Sequence, residues 1–379
     1  MTAARRLLIL SASMGSGHDG VAAELARRLT ADGAEVEIID VLHLVPFRLG
    51  HALRRGYHWT IKRAPWLYEV IYQVFFTAKR APSASPLTIL MAARLRRLIG
   101  GHPPDEIVST FHLAAQMTGL LRRRGRLRTP CTVLIIDFAV HRLWLHPGND
   151  RHLCPNPAVL AHITAATGRP ALACAPVVRP AFLAPAADRA GTAVRIGADP
   201  GARLVLVSGG SWGVGRPEET ARLLARSGRY TPVVLCGRDA GLHRRLAGSG
   251  TMPVLGWRDD VPDLMAAAYA LVDISAGLTC QEAFAAGLPV ILYRPIPGHG
   301  RDGALAMARA GMGEYARDGA ALLDALDRLG DERLRGRRIA RAAALFAAAP
   351  AETVLISAPA RPADGPGREA TGRAGDSRR

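Results

Sequence analysis

The residues best suited to chemistry stand in a glycine-rich turn near the amino terminus, LSASMGSGHDG. Gly15, Gly17 and Gly20 follow an apolar run with the spacing G-x-G-x-x-G, and Asp40 closes the next apolar run twenty residues after Gly20. That pattern is typical of a dinucleotide-binding turn. The turn also contains His18, and an imidazole that titrates near neutral pH suits a general base. The turn alone is therefore compatible with an NAD enzyme or with proton transfer by His18.

A second set of such residues lies in the carboxyl-terminal half of the chain. An apolar run leads to the loop SAG at 275–277, and a helical pattern starts at Leu278 and Thr279. The N–H groups and the dipole of a helix start favour a diphosphate. Glu282 follows, where a carboxylate accepts hydrogen bonds from ribose hydroxyls, and the loop SGGSWGVG at 208–215 lets a sugar or phosphate approach the backbone. Together these features predict a nucleotide site.

Apolar runs alternate with helical patterns twice along the 379 residues. This alternation predicts an α/β fold of two doubly wound, parallel-sheet domains, at 1–178 and 179–350. Towards the end of the chain Pro, Gly and Arg become frequent without apolar periodicity, which predicts a disordered tail at 351–379. The predicted strands are RLLILSA, AEVEIID, EIVST and CTVLIID in the first domain and RLVLVSGG, TPVVLCG, MPVLGW, AYALVDIS and LPVILYRP in the second.

The formal net charge of +17 suggests an anionic partner, such as acidic lipid, a phosphorylated substrate or nucleic acid. Because almost all the cations are Arg beside abundant Ala and Gly, a GC-rich coding bias is a competing explanation of the charge. The five cysteines are scattered without a C-x-x-C pair, which argues against a zinc site or a disulfide framework and favours a reducing cytoplasm. No uninterrupted apolar run approaches the roughly 18 residues of a spanning helix, so we expect a soluble or peripheral protein.

An irregular block at 48–97 is both basic and aromatic. It has ten Lys and Arg against one acid, Glu69, and its centre at 57–76 holds seven of the twenty aromatic residues of the chain. Cationic side chains between Trp and Tyr suit the headgroup region of an anionic bilayer. A structural insertion is an open alternative, whereas nucleic-acid binding is disfavoured because no known nucleic-acid motif accompanies the block.

The carboxyl-terminal motifs resemble those of two-domain glycosyltransferases that use UDP-sugars and have the GT-B fold. The amino-terminal LSASMGSGHDGVAAELARRL is similar to the opening S-x-G-x-G-H-x-x-A-A-x-x-L of the monogalactosyldiacylglycerol synthase and processive diacylglycerol glucosyltransferase family. IIDFAVHRLWLHPGNDRHLCPN at 135–156 is similar to that family's D-x-x-x-H-x-x-W-x-x-x-x-x-D segment, and the whole resemblance covers 5–316. The peptidoglycan N-acetylglucosaminyltransferase resembles the chain more distantly. The matching carboxyl-terminal residues are Gly277-Leu278-Thr279, Glu282-Ala283, Gly287-Leu288-Pro289 and Pro295-Ile296-Pro297-Gly298.

The resemblance implies a GT-B enzyme with two Rossmann-like domains facing across a cleft. Such an enzyme transfers a hexose from UDP-glucose or UDP-galactose to a lipid, diacylglycerol, with inversion to a β-glycoside, and needs no metal and no cofactor beyond the UDP-sugar. It would lie in the cytoplasm on the anionic inner face of the plasma membrane, without nucleic acid as a partner. His18 is implied as the general base or an acceptor-orienting residue. The acceptor side would include Gly15, Gly17, Asp137 and His141, and the donor site Gly209, Gly210, Ser211, Trp257, Gly277, Leu278, Thr279, Glu282, Gly298 and His299.

The chain departs from that family in the donor loops. Ser275-Ala276 stands where the family often has P-G or A-G, and His299, Gly300 and Gly303 stand where it commonly has Gln, Glu and Asn. A His in place of Gln keeps a hydrogen-bond donor for a phosphate. These departures leave open the same fold acting on a polyprenyl or secondary-metabolite acceptor, and a non-catalytic binder of UDP-sugars.

Structural roles are alternatives at three of the implied site residues. His18 is also compatible with a hydrogen bond within the loop, Asp137 with a helix cap, and His141 with packing or solvation. An NAD oxidoreductase is disfavoured, because the nucleotide features lie in the second half of the chain rather than around the first glycine turn.

Overall fold

Two parallel sheets of six strands each form the framework of the protein. The structure, a computed structural model, describes residues 4–77, 85–183, 188–248, 250 and 252–357. Every strand pairing in both sheets is parallel, as helical connections between consecutive strands require. The predicted fold class of two doubly wound α/β domains is confirmed.

The first domain contains the glycine turn and the basic block. Its strands are β1 Arg6–Ser11, β2 Glu35–Asp40, β3 Glu106–Ser109, β4 Cys131–Leu134, β5 Arg151–Cys154 and β6 Ala171–Ala173. Its helices are α1 Ser16–Ala31, α2 Leu49–Arg63, α3 Pro65–Tyr72, α4 Pro86–Ile99, α5 His112–Arg123 and α6 Leu160–Thr167. The strands lie in the order β2-β1-β3-β4-β5-β6.

The second domain repeats this architecture, with strands in the order β12-β11-β10-β7-β8-β9. These strands are β7 Leu204–Ser208, β8 Thr231–Leu235, β9 Val254–Leu255, β10 Ala270–Asp273, β11 Val290–Tyr293 and β12 Gly313–Ala316. The helices from the connection onward are α7 Arg189–Arg195, α8 Pro217–Arg226, α9 Ala240–Ala247, α10 Val261–Ala267, α11 Leu278–Ala285, α12 His299–Arg309, α13 Gly319–Arg328, α14 Glu332–Ala343 and α15 Ala351–Ser357. The predicted boundary at 178 and 179 lies between β6 and β7.

Both faces of each sheet are buried, which explains why the strands appear as unbroken apolar runs. In β1, Leu7 and Ile9 belong to the core on one face of the sheet, and Leu8 and Leu10 belong to the core on the other. The alternation follows from the two-residue repeat of a strand. In β7 the residues 204–207 alternate between two cores in the same way.

The two sheets have equivalent crevices at the carboxyl ends of their strands. In each sheet the strands that follow the first one are added on one side of it, and later strands are added on the other side. The direction of strand addition therefore changes between β1 and β3 in the first sheet and between β7 and β10 in the second. Loops diverge at such a point and leave space for a ligand. The glycine turn after β1 and the loops after β7 and β10 therefore lie at the two places where binding is expected.

The basic and aromatic block is helical rather than irregular. It forms α2, α3, a five-residue π-helical turn Gln73–Thr77, and α4. Pro65 and Pro86 open α3 and α4, because the first helical position needs no N–H donor. Residues 78–84 lie outside the part that the structure describes.

The predicted strands are present, and three short ones escaped prediction. These are β5, β6 and β12, with three or four residues each. In β5 the run begins with Arg151 and His152, both buried. A buried Arg and His interrupt the apolar pattern by which a strand is recognised.

The carboxyl-terminal helix α15 returns to the first domain and completes its core. Ala351 and Leu355 are fully buried there, beside residues of α1 and the first sheet. Glu352 forms an ion pair with Arg28 of α1 at 3.3 Å. Arg5 donates a hydrogen bond to the carbonyl oxygen of Leu355 at 2.5 Å. The last helix thus belongs to the domain that the first strand begins.

The prediction of a disordered tail at 351–379 is wrong for 351–357, which form α15. Residues 358–379 lie outside the described part of the chain. By length and composition alone, one described segment, 332–357, is apolar enough to cross a membrane, with a mean hydropathy of 1.5 in its most apolar window. A short 3-10 turn, Ala344–Ala347, separates α14 from α15 within that segment.

Truncation of Leu355 to Ala should lower the free energy of unfolding by about 2–5 kcal/mol, because a fully buried Leu leaves a cavity. The adjacent Ile356 is 37% exposed, so Ile356→Ala should lower that free energy by less than about 1 kcal/mol. Urea unfolding followed by circular dichroism measures both losses. Equal losses would show that α15 does not depend on its buried face.

Candidate active site in the cleft between the sheets

A cavity of about 570 Å³ lies between the carboxyl ends of the two sheets. Its walls come from the loops after β1, β4, β7, β9 and β10, from α2, and from the starts of α11 and α12. His141 and Gly298 are not among the residues that line it. The predicted site residues that do line it are Gly15, Gly17, His18, Asp137, Gly209, Gly210, Ser211, Trp257, Gly277, Leu278, Thr279, Glu282 and His299.

His18 lies in the first turn of α1, and its imidazole is fixed from behind. Its Nδ1 is 2.9 Å from the carbonyl oxygen of Thr110, which follows β3 across the first crevice. Because a carbonyl only accepts, Nδ1 carries the proton and Nε2 keeps its lone pair. The ring of Phe111 packs edge-on against the imidazole, with centroids 4.9 Å apart. His18 is therefore held in the tautomer that a general base needs.

The glycines of the turn allow α1 to approach α11 of the second domain. A Cβ added at Gly20 would lie 3.0 Å from Leu278 Cδ2, and one added at Gly17 would lie 3.6 Å from Leu278 Cβ. Asp40 lies outside the cavity, where its carboxylate accepts a hydrogen bond from the N–H of Leu42 at 2.8 Å and caps a short helix. The dinucleotide-like spacing thus has a packing role and a capping role in this chain.

A buried carboxylate shapes the loop before α11. Asp273 is fully buried at the end of β10 and accepts hydrogen bonds from the N–H groups of Ser275 at 2.7 Å and Ala276 at 3.0 Å. These bonds stabilise a φ of 52° at Ala276, which residues with a Cβ rarely adopt. The turn delivers Gly277 and Leu278 to the start of α11 at the cavity wall. The unpaired N–H groups of that helix start are therefore presented to a ligand.

The loop after β7 contacts the first domain directly. Ser211 Oγ accepts a hydrogen bond from the N–H of Ser16 at the start of α1, at 3.2 Å. The indole of Trp212 packs against His58 of α2, with ring centroids 4.7 Å apart, and the guanidinium of Arg54 lies over the same indole at 5.9 Å. The two crevices consequently share one cavity.

Glu282 has an unusual ionisation for a carboxyl group. It lies in the second turn of α11, and burial raises its pKa to about 7, although the positive charge of Arg179 opposes the shift. Near neutral pH the side chain is therefore divided between its neutral and its ionised form. Arg179 also lines the cavity, from the segment that connects the two domains.

A flat cationic and aromatic surface lies at the second-domain end of the cavity. Trp257 follows β9 and is 51% exposed. The guanidinium carbon of Arg238 lies 4.2 Å from the centroid of its indole. Both side chains line the cavity, and such a surface suits stacking of a planar base.

Asp137 and His141 occupy different positions although one motif contains both. Asp137 lines the cavity and accepts a hydrogen bond from the indole N–H of Trp144 at 2.8 Å. His141 is buried behind it, with Nε2 3.8 Å from the Asp137 carboxylate, and packs against Phe76 and His112. Burial lowers the pKa of His141 to about 4. The structure thus gives His141 the packing role rather than a place on the acceptor side.

Gly298 and His299 also differ in position. The N–H of Gly298 donates to the Glu69 carboxylate of α3 at 3.0 Å, and an added Cβ would overlap the ring of Tyr72. Gly298 therefore serves the contact between the domains. His299 lines the cavity and begins α12, and its Nδ1 lies 2.8 Å from the hydroxyl of Tyr68.

Several lining residues have no motif that would have identified them. Arg54 and Tyr57 belong to the basic and aromatic block, Arg179 and Phe182 to the segment that connects the two domains, and Trp212 to the loop at 208–215. Among the described residues no group of three or more His, Cys, Asp or Glu side chains lies close enough to hold a metal ion. All five cysteines are buried and free.

Comparison with known proteins identifies a matching family and related sequences. Residues 18–168 match the family described as monogalactosyldiacylglycerol (MGDG) synthase. That range begins at the cavity histidine and includes Asp137. The processive diacylglycerol beta-glucosyltransferase of Bacillus subtilis (strain 168) is 24% identical over 338 residues, which cover 80% of this chain and 81% of that protein.

Solved structures share the architecture at lower identity. MurG of Acinetobacter baumannii has a TM-score of 0.59 and 16% identity, over 93% of this chain and 97% of its own. The spinosyn rhamnosyltransferase SpnG, complexed with thymidine diphosphate, has a TM-score of 0.61 and 14% identity, over 93% of this chain and 99% of its own. These likenesses confirm the GT-B fold. In its fold, in the match of residues 18–168 and in its sequence relatives, the chain is similar to glycosyltransferases of the monogalactosyldiacylglycerol synthase and processive diacylglycerol glucosyltransferase family.

Proposed function

We propose that the protein transfers a hexose from a UDP-sugar to the hydroxyl group of a lipid, namely diacylglycerol, with inversion to a β-glycoside. The observation that carries the proposal is the position of His18 and the start of α11 on the walls of one cavity, with Nε2 of His18 free to accept a proton. A base for the acceptor and N–H groups for the departing diphosphate are the two requirements of a single displacement.

In this mechanism the acceptor hydroxyl attacks C1 of the hexose while His18 Nε2 takes the hydroxyl proton. The bond between C1 and the UDP oxygen breaks, and UDP leaves with the electron pair. The N–H groups at 277–279 and the dipole of α11 stabilise the negative charge on the departing diphosphate. Attack on the face opposite to UDP inverts C1, so that an α-linked donor gives a β-glycoside. The UDP-sugar is the only cosubstrate in this scheme.

We assign the nucleotide to the second domain. The carboxylate of Glu282 would accept hydrogen bonds from the ribose hydroxyls, and the surface of Trp257 and Arg238 would stack on the base. The bound thymidine diphosphate of SpnG supports a nucleoside-diphosphate donor, and the name of the Bacillus subtilis relative supports a glucosyl group. UDP-glucose and UDP-galactose are accordingly the two donors proposed.

The exposed surface of the basic block supports a lipid acceptor on an anionic membrane. Exposed Arg55 and Arg63 lie on the same helix as several of the exposed apolar side chains. Exposed apolar and cationic side chains on one helix fit the headgroup region of the cytoplasmic leaflet, which supports a peripheral position on the inner face of the plasma membrane. Eight of the exposed large hydrophobic residues in the described part of the chain lie between the turn just before α2 and the π-helical turn: Phe47, Leu49, Leu53, Trp59, Trp66, Val70, Val74 and Phe75.

His18→Ala should lower kcat by roughly 10²- to 10⁴-fold, the usual contribution of a positioned base. UDP binding, measured by calorimetry, should persist because the nucleotide contacts lie in the other domain. The assay supplies UDP-glucose or UDP-galactose with diacylglycerol in anionic micelles and detects glycolipid. His43→Ala, which changes an exposed histidine outside the cavity, should retain full turnover.

Unchanged turnover of His18→Ala would remove this residue from the mechanism. A wild-type chain that binds UDP but transfers no sugar would favour the non-catalytic UDP-sugar binder. A chain that binds NAD and not UDP would restore the dinucleotide interpretation of the first turn.

The affinity for UDP-glucose should rise as the pH increases from 6 to 8. Because the pKa of Glu282 is about 7 in the free protein, the carboxyl must lose its proton before it can accept two ribose hydroxyls as a carboxylate. Calorimetric titration at several pH values measures the effect. Glu282→Gln should bind more weakly and with a flat pH dependence over this range. The same slope in both proteins would show that another group titrates.

The wild-type protein should sediment with liposomes that contain anionic lipid and be released by added salt. In the wild type the indoles of Trp59 and Trp66 should enter the headgroup region. Replacement of both residues by Ala should therefore weaken this binding by roughly tenfold. Trp257→Ala, which removes a similarly exposed indole from the cavity, is the matched control and should sediment like the wild type. Sedimentation that ignores lipid charge would refute the membrane assignment.

A further inference from the structure

Two side chains from different domains meet beside the cavity. Tyr68 of α3 is 3% exposed, and its hydroxyl oxygen lies 2.8 Å from Nδ1 of His299 at the start of α12. Their rings pack edge to face, with centroids 5.8 Å apart. His299 lines the cavity and Tyr68 does not. Tyr68 can therefore act on a bound substrate only through a neighbour that lines the cavity, which is either His299 or Tyr57, whose ring packs edge-on against that of Tyr68 with centroids 5.5 Å apart.

The chemistry of the pair determines the direction of this hydrogen bond. Burial raises the pKa of Tyr68 far above its ordinary value and lowers the pKa of His299, so that a neutral phenol meets a neutral imidazole. Of the two groups, a phenol O–H is the stronger donor and an imidazole nitrogen is the stronger acceptor. Tyr68 therefore donates to Nδ1, and the one proton of the His299 imidazole lies on Nε2.

Neighbouring contacts hold α3 against the first turn of α12 on either side of Tyr68. Glu69 accepts a hydrogen bond from the N–H of Gly298 at 3.0 Å, and the hydroxyl of Tyr72 donates to Asp302 at 2.9 Å. Tyr72 is as deeply buried as Tyr68. Its partner, Asp302, is not among the residues that line the cavity. Tyr72 is therefore a matched control for Tyr68.

We propose that Tyr68 is a positioning residue of the donor site, which holds His299 with its Nε2–H directed at the diphosphate of the sugar donor. The inference rests on the proposed function, because that function places a diphosphate at the start of α11. His299 would add one hydrogen-bond donor to the N–H groups of α11, and the charge that develops on the departing diphosphate would strengthen the bond. The acceptor domain thereby completes the donor site across the cleft.

The first experiment compares Tyr68→Phe with Tyr72→Phe. Loss of the Tyr68 hydroxyl leaves His299 free to take the other tautomer, whose Nε2 repels a phosphate oxygen. Tyr68→Phe should therefore lower kcat by roughly tenfold, a typical effect for one hydrogen bond to a charged group, with a smaller change in KM for the donor. Tyr72→Phe should change kcat by less than about threefold. Equal effects of the two substitutions would overturn the proposal.

The second experiment repeats both substitutions in a His299→Gln background. A glutamine amide always carries N–H donors and has no tautomer to select. In this background Tyr68→Phe should change kcat by less than about twofold, so that Tyr68→Phe and His299→Gln are strongly non-additive. If Tyr68→Phe lowers kcat by the same factor in the wild-type background and in the His299→Gln background, Tyr68 acts through the packing between the domains or through Tyr57, and the proposal fails.

The third experiment does not depend on turnover. Nitrogen-15 spectra of histidine-labelled protein, assigned by comparison with His299→Gln, report which ring nitrogen carries the proton. His299 should be protonated on Nε2 in the wild type, and its signal should move when UDP is added. Protonation on Nδ1, or no response to UDP, would overturn the proposal. A wild type with the expected spectra but no sugar transfer would refute the proposed function and leave the role of Tyr68 in UDP binding intact.

Discussion

The close approach of two helix starts from different domains constrains the rest of the structure. Where α1 meets α11, Gly20 faces Leu278, and a Cβ at that glycine would already be in tight contact with the leucine. The buried amide of Gln281 on α11 donates to the carbonyl oxygen of Ile136 at 2.7 Å, which fixes the same approach about one turn further along the helix. Because of this contact, His18 and the N–H groups of α11 face one cavity rather than two separate crevices.

The helices α2 and α3 have two different environments. Trp59 and Trp66 are exposed, whereas Tyr68 and Tyr72 pack with Ile296 in a small core shared by both domains. The sequence suggested a choice between a membrane surface and a structural insertion for this block. The buried residues of the two helices are structural, and the same two helices carry several exposed apolar side chains. The segment that we propose to contact the membrane thus also forms a wall of the cavity.

A site residue could be predicted from the sequence where its neighbours along the chain determine its position. His18 and the start of α11 could be predicted because each follows a buried strand and opens a helix, so that nearby residues determine where it points. Tyr68 could not, because its partner His299 lies in the other domain, and Arg179 could not, because it lies on the connecting segment about a hundred residues before Glu282. The spacing that identified His141 does not specify the direction of its side chain. Helix α15 was missed because seven residues form a stable helix only through tertiary contacts.

The return of α15 to the first domain has a consequence for the order of folding. Domains generally fold in the order in which the ribosome delivers them. Here the first domain lacks Ala351 and Leu355, two fully buried members of its core, until the whole second domain has been synthesised. Until then the apolar residues beside α1 that pack against α15 stay uncovered. The core of the first domain is therefore complete only when the second domain has also been synthesised. A chain divided between the two sheets would leave these residues uncovered.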